Sequence, residues 1–345
     1  MKITKKVLDE MERCYCASSL VLGDGSYAVL AGEAIGAPCY AYGGAGFEKK
    51  EVIWPSAGGT MSLVQIPGTE GEFLAVQNFF PGFKSEGAKI VWGRREAGEW
   101  IIRDVLSLPF VHRFDILEAG GVRYFFAATL CGSKKEREDW SDPGKLYACE
   151  LPDDLSQGIH PVPIMSGLTK NHGYCRGVWK GRVAAFATCD AGIYAALPPE
   201  HKGGEWTVEQ VMEGAIGEVA LCDIDGDGED ELATIEPFHG DAFHIYKRDG
   251  EGWKRVYTYT RPIEFAHAVW GGKLLGRGAF VVGVRRKNCE LFMVQYDKAA
   301  GEFVTTGIDQ AVGTSNVAVF SRPEVEVLVA ANHTKNEAAV YLITE

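Results

Sequence analysis

The sequence predicts an all-β fold, a seven-bladed β-propeller of four-stranded blades, and three observations predict it. Helical periodicity is almost absent, and short apolar runs recur between turns. The composition joins 42 Gly to 13 Tyr, 17 Phe and 8 Trp, a Gly-plus-aromatic usage that suits many short strands. One strand-like stretch also recurs seven times at near-equal intervals along the 345 residues.

In chain order these stretches are Ser18 to Leu22, Met61 to Gln65, Val111 to Asp115, Asn171 to Cys175, Gly217 to Leu221, Ala266 to Trp270 and Ser315 to Val319. Their second residues are Ser19, Ser62, His112, His172, Glu218, His267 and Asn316, separated by 43, 50, 60, 46, 49 and 49 positions. Wrapping from Asn316 through the termini to Ser19 adds a further 48. Seven near-equal steps that consume the chain are the signature of a closed array, a single domain over residues 1–345.

Each innermost strand is followed by a second, such as Tyr124 to Ala128, Val183 to Ala187 or Val327 to Ala331. A third follows a turn, as in Lys89 to Trp92, Ala242 to Tyr246 and Leu291 to Tyr296. The fourth is more polar: Trp100 to Arg103, Trp206 to Val211, Trp253 to Val256 and Phe303 to Thr306. The last unit ends after its third strand, and Lys5 to Asp9 is expected to supply the fourth and close the ring. Closure removes two exposed sheet edges, a physical reason to prefer it over two packed β-sandwiches.

Composition narrows the function. A formal net charge of −12, with no basic stripe, argues against nucleic acid as a partner. No apolar run resembles a signal peptide or spans a bilayer, so neither a membrane nor secretion is expected. The nine Cys form no CxxC pair, and free thiols in a reducing cytoplasm are the simplest reading.

One stretch carries a metal-loop pattern. Asp223, Asp225 and Asp227 alternate, Glu231 follows, and Gly226 and Gly228 permit the turn. Glu218 to Cys222 before it and Leu232 to Ile235 after it read as strands, so this is a strand–loop–strand rather than an EF-hand. The stretch resembles the FG-GAP/VCBS repeat of integrin-α-type propellers. The resemblance covers about a dozen residues and implies Ca or Mg on Asp223, Asp225, Asp227 and Glu231.

The aligned register gathers His112, His172, Glu218 and His267 around the axis on one face, with Asn316 beside them. Three imidazoles and a carboxylate suit a divalent transition metal: Mn, Zn, Fe or Ni. The loops between second and third strands fall on that face and bring Glu33, His239, Arg285, Arg286 and His333. The longest, Leu130 to Gly144, is long enough to act as a flap. The acidic loop falls on the opposite face.

No GxSxG elbow, P-loop or HExxH helix is present. The histidine layout is similar to oligogalacturonate lyases and aldos-2-ulose dehydratases in architecture and ligand type. It departs from the lyases in having Glu218 where they have an amide. The resemblance implies elimination next to a carbonyl or carboxylate of a small carbohydrate-derived substrate, by a lyase, dehydratase or isomerase. His239 and His333 are then candidate bases and Tyr174 a candidate acid. Arg176, Arg285 or Arg286 would hold a carboxylate or hydroxyls. The alternative is a non-catalytic propeller that binds a protein or glycan.

Overall fold

The computed structural model describes residues 1–80 and 82–345 and is built almost wholly of β-strands. Strand β1 spans Lys2–Glu10, and blade one follows as β2 (Cys14–Leu22), β3 (Gly25–Gly32), β4 (Cys39–Gly43) and β5 (Lys49–Trp54). Blade two is β6 (Leu63–Gln65), β7 (Phe73–Gln77), β8 (Lys89–Glu96) and β9 (Glu99–Ser107). Blade three is β10 (Val111–Ala119), β11 (Val122–Thr129), β12 (Gly144–Glu150) and β13 (Val162–Leu168). Blade four is β14 (Tyr174–Trp179), β15 (Arg182–Cys189), β16 (Gly192–Leu197) and β17 (Thr207–Glu213). Blade five is β18 (Glu218–Cys222), β19 (Glu231–Glu236), β20 (Ala242–Asp249) and β21 (Gly252–Thr258). Blade six is β22 (Glu264–Leu274), β23 (Arg277–Arg286), β24 (Leu291–Asp297) and β25 (Glu302–Asp309). Blade seven is β26 (Thr314–Arg322), β27 (Val325–Asn332) and β28 (Glu337–Thr344), completed by β1.

Every blade is an antiparallel meander whose strands pair in sequence order. The exception in order is the closure: β1 pairs with β28 from Lys2↔Thr344 to Glu10↔Glu337. The seven-bladed ring and its closing strand are therefore as the sequence predicts.

The second strands carry the core. In β3, β11, β23 and β27 runs of consecutive residues are buried, because both faces of a middle strand lie against neighbouring blades. The outer β21 and β25 show largely exposed patterns, which explains their polar sequences. Apolar side chains gather into seven clusters, each made chiefly by two adjacent blades. Phe125 and Phe114 lie between blades two and three, Phe243 and Phe292 between five and six. Each such buried side chain contributes about 1.5–3 kcal/mol.

The predicted register is corrected in two blades. An extra residue forms a bulge near the start of an inner strand, between Val111 and Arg113 in β10 and between Ala266 and Ala268 in β22. The same bulge lies between Cys14 and Cys16 in β2, and between Thr314 and Asn316 in β26. The equivalent of His112 and His267 is thus Tyr15 in blade one, not Ser19, and Ser315 in blade seven, not Asn316. The apolar run Ser18 to Leu22 drew the sequence register four residues too far along β2.

Candidate metal centre and axial funnel

The inner strands place their early residues around the axis, and in blade four these come from just ahead of the strand. Asn171, His172 and Gly173 precede β14, where His172 N–H donates to Thr188 O at 3.2 Å and Gly173 N–H to Thr188 Oγ1 at 2.9 Å. A Cβ on Gly173 would meet the Glu218 Cα and the Gly217 carbonyl at 2.6 Å, so this close approach of blades four and five requires glycine. His239 arrives from the β19–β20 loop, and its ring lies between Phe238 at 3.9 Å and Phe265 at 4.2 Å between centroids.

Nitrogens of His172, His239 and His267 all lie within 4.8 Å of one another. The Nε2 atoms of His172 and His239 are 3.3 Å apart. Two ligands at about 2.0–2.1 Å from a tetrahedral ion stand about 3.3 Å apart, so this pair has a metal-site spacing. His267 Nδ1 donates to the Ser315 carbonyl at 2.8 Å, and His172 Nδ1 lies 2.7 Å from Glu218 Oε1. Both contacts turn an Nε2 lone pair toward the axis, the arrangement in which a carbonyl or carboxylate orients a metal-binding imidazole. Burial, reinforced by neighbouring positive groups, holds His239 and His267 well below the usual histidine range, as it does His112. Neutral imidazoles are the protonation state a metal requires. The residues present fit a divalent transition metal on His172, His239 and His267.

This set differs from the expected one. Glu218 lies behind His172, and its Oε1 also stands 3.4 Å from Arg113 Nη2. The His112 ring lies 4.4 Å from that of His172, tilted by 32°, but its Nε2 faces the Tyr15 hydroxyl at 3.2 Å. His239, expected as a base, joins the nitrogen cluster instead. Asn316 donates to Tyr15 O at 2.9 Å and accepts from Arg113 at 3.3 Å.

The histidine layer divides the axis into two cavities. Above it a funnel of about 370 Å³ is lined by the histidines, Tyr15, Met61, four arginines, Glu33 and the phenylalanines Phe79, Phe80, Phe83 and Phe265. The loops between second and third strands build this face, as expected, and Arg137 of the long Leu130–Gly144 loop reaches the funnel wall. Glu33 Oε1 accepts from His333 Nε2 and from Arg13 Nη2, both at 2.6 Å, and Arg285 Nη2 stands 2.9 Å from the ring nitrogens of His333. Burial would raise Glu33, but His333, Arg285 and Arg13 offset it and hold the carboxyl below its usual range. Burial lowers His333. A neutral His333 that donates to Glu33 and accepts from Arg285 satisfies all three groups.

Below the layer lies a channel of about 340 Å³, lined in part by Arg113, Asp115, Glu218 and Trp270. Tyr174 and Arg176 are here, away from the funnel. Tyr174 donates to Asp115 Oδ2 at 2.5 Å, and Arg176 binds both Asp115 oxygens at 2.9 and 2.5 Å. The expected catalytic set is therefore split, with His239, His333 and Arg285 on the funnel side. Sequence reasoning missed Tyr15, Arg13, Arg113 and Phe265. Tyr15 is marked by the bulge at the start of β2, which matches those of β10 and β22 and is visible only in the strand pairing.

The acidic loop joins β18 to β19 on the opposite face. Asp223, Asp225 and Asp227 bring oxygens within 4.8 Å of one another. Lys247 of β20 extends its ammonium among them, bonding Asp225, Asp227 at 2.8 Å and Glu231 at 3.1 Å. Glu231 Oε2 accepts from Ile224 N–H at 3.0 Å, and Gly228 N–H donates to Asp223 at 3.1 Å.

No protein-family model matches the chain, and no curated protein matches it in sequence. Many solved structures match in fold. One, described as a crystal structure of BBS1N in complex with ARL6DN, soaked with mercury, is 11% identical. It covers 99% of this chain and 95% of its own, with a TM-score of 0.58. That likeness is one of fold.

Proposed function

We propose that the protein is a metal-dependent lyase, dehydratase or isomerase acting on a small acidic sugar derivative at the narrow end of the funnel. The observation that carries this reading is three imidazoles, their nitrogens within 4.8 Å, at the base of a funnel walled by Arg13, Arg137, Arg285 and Arg286. Four arginines against the single carboxylate of Glu33 leave the wall formally positive in a chain of net charge −12. Such a cleft draws and orients an anion. Arg285 and Arg286 pack over Phe265 at 5.0 and 4.6 Å, which fixes their guanidinium groups for bidentate contact with a carboxylate. His333 is the candidate base: a carboxylate that engages Arg285 frees the His333 nitrogen now facing it, and Glu33 supports the charge His333 then gains. The bound metal would act as a Lewis acid on the carbonyl or carboxylate next to the acidic C–H.

The acidic turn of blade five is read as FG-GAP-like on its strand–loop–strand placement, with Lys247 as its built-in cation. The nine free cysteines support a cytoplasmic location. Neighbouring blades pack against each other all round the ring, which supports one domain over residues 1–345.

The test is to load the protein with Mn, Zn, Fe or Ni and screen uronates and keto-sugar acids. Elimination is followed by the ultraviolet absorbance of the unsaturated product and isomerisation by NMR. Turnover that disappears in Arg285→Met and His172→Gln supports the reading; a metal-loaded protein inert across the panel contradicts it. A second reading, a propeller that binds a partner through this face, is favoured by the half-exposed aromatic rim. There Phe83 and Phe238 pack on Trp140 at 5.6 and 5.4 Å, with Lys134 over the indole at 3.3 Å.

A further inference from the structure

Tyr15 is a funnel residue to which the metal reading assigns no task. It occupies in β2 the bulge position that His112 and His267 occupy in β10 and β22, so blade one presents a phenol where blades three and six present imidazoles. The ring is 3% exposed, and the hydroxyl lies 3.2 Å from Nε2 of both His112 and His267.

The hydrogen bonds fix its direction. His267 Nδ1 donates to Ser315 O, so its Nε2 carries a lone pair and accepts the Tyr15 proton. His112 Nε2–H then donates to the phenol oxygen, and His112 Nδ1 is left buried without a partner. The phenol is thus aimed at the same His267 lone pair that the metal reading gives to the ion. Its 3.2 Å separation from that nitrogen matches the 3.3 Å between His172 and His239, and both match the spacing of about 3.3 Å between two ligands of one tetrahedral ion.

We propose that Tyr15 is the fourth protein donor of the axial centre, and that His112 holds the phenolate by a hydrogen bond and is not itself a ligand. The inference rests on the metal reading above. On binding, the Tyr15 O–H bond breaks and an oxygen–metal bond forms. The proton leaves to solvent through the funnel, and no electron is transferred. A hard phenolate oxygen favours iron or manganese over zinc. Three histidines and a tyrosine would fill a four-coordinate ion, so an ion that also takes substrate would have to expand its coordination.

The test uses full-length protein stripped of metal and reloaded with one equivalent of ferric iron delivered as its citrate complex. Iron per chain is measured together with the visible phenolate-to-iron charge-transfer band. The expected result is the band in wild type, lost in Tyr15→Phe while iron is retained, and shifted in His112→Gln. Resonance Raman excited within the band reads tyrosinate ring modes in wild type alone, so the proposal stays testable if Tyr15→Phe fails to fold. Iron bound by wild type but lost in His172→Gln, with no band, overturns the tyrosine ligand and leaves the three-histidine centre standing. Wild type that takes up no more iron than His172→Gln overturns the tyrosine ligand, and the same pair reloaded with Mn, Zn or Ni then decides whether the three-histidine centre stands.

Discussion

Glu218 Oε1 stands 2.7 Å from His172 Nδ1, and this contact decides which nitrogen of His172 faces the axis. Glu218→Gln keeps the shape and removes the charge, so metal affinity should fall by about 10–100-fold with the fold intact; competition titration with a chelator measures it. The sequence placed Glu218 at the axis but as a ligand. Equivalent strand positions show which blade a residue comes from, not whether its carboxylate ends beside an ion or behind the imidazole that holds one. His239 was legible only as a loop histidine, because the turn that folds it between Phe238 and Phe265 has no strand period. The histidines also set a pH dependence. His112, His239 and His267 are held below their ordinary range chiefly by burial, so the unfolded chain binds more protons once the pH falls below about 6.5. Their contribution is fully present above that value and is lost as the pH falls, by up to about 1.4 kcal/mol per pH unit for each histidine. Urea midpoints of metal-free protein should be lower at pH 5.5 than at 7.5, and His112→Gln should flatten the difference.

At the scale of elements, the acidic turn shows what a motif fixes. Its position between β18 and β19, and the convergence of its three aspartates, were legible from spacing alone. Lys247 was not, because it comes from β20 and reaches the turn only through the pairing of Leu232 with Tyr246 and its neighbours. Lys247→Ala leaves Asp225, Asp227 and Glu231 facing one another, and we expect a loss of about 1–3 kcal/mol, read as a lower thermal midpoint. Added calcium is expected to recover part of that loss in the variant and to have less effect in wild type, where the ammonium occupies the turn. The bulges mark the opposite limit. They repeat at the starts of β2, β10, β22 and β26, yet a bulge is defined by the pairing of two strands, so the apolar run Ser18 to Leu22 drew the register to Ser19 in blade one.

The whole molecule is a ring of blades in which every apolar cluster is shared by neighbours, so each blade relies on the next to bury its apolar faces and closure matters. Spacing revealed the seven-fold repeat because each blade needs a similar length of chain to run out and back. Closure by β1 followed from the missing fourth strand of blade seven. Beyond the β1–β28 ladder, Lys5 of β1 bonds Asp309 at 2.8 Å and Glu337. Deleting residues 2–10 strips β28 of its partner. We expect the thermal midpoint to fall by about 5–10 °C and the exposed edge to promote self-association, checked by calorimetry and by light scattering.

The axial metal centre is decided by elemental analysis of the purified protein beside a His172→Gln/His239→Gln/His267→Gln variant. Near-stoichiometric Mn, Fe, Ni or Zn is expected in wild type, lost in a variant that keeps its β-sheet circular dichroism. Wild type that holds no transition metal even after reloading, or a folded variant that retains as much, would contradict it.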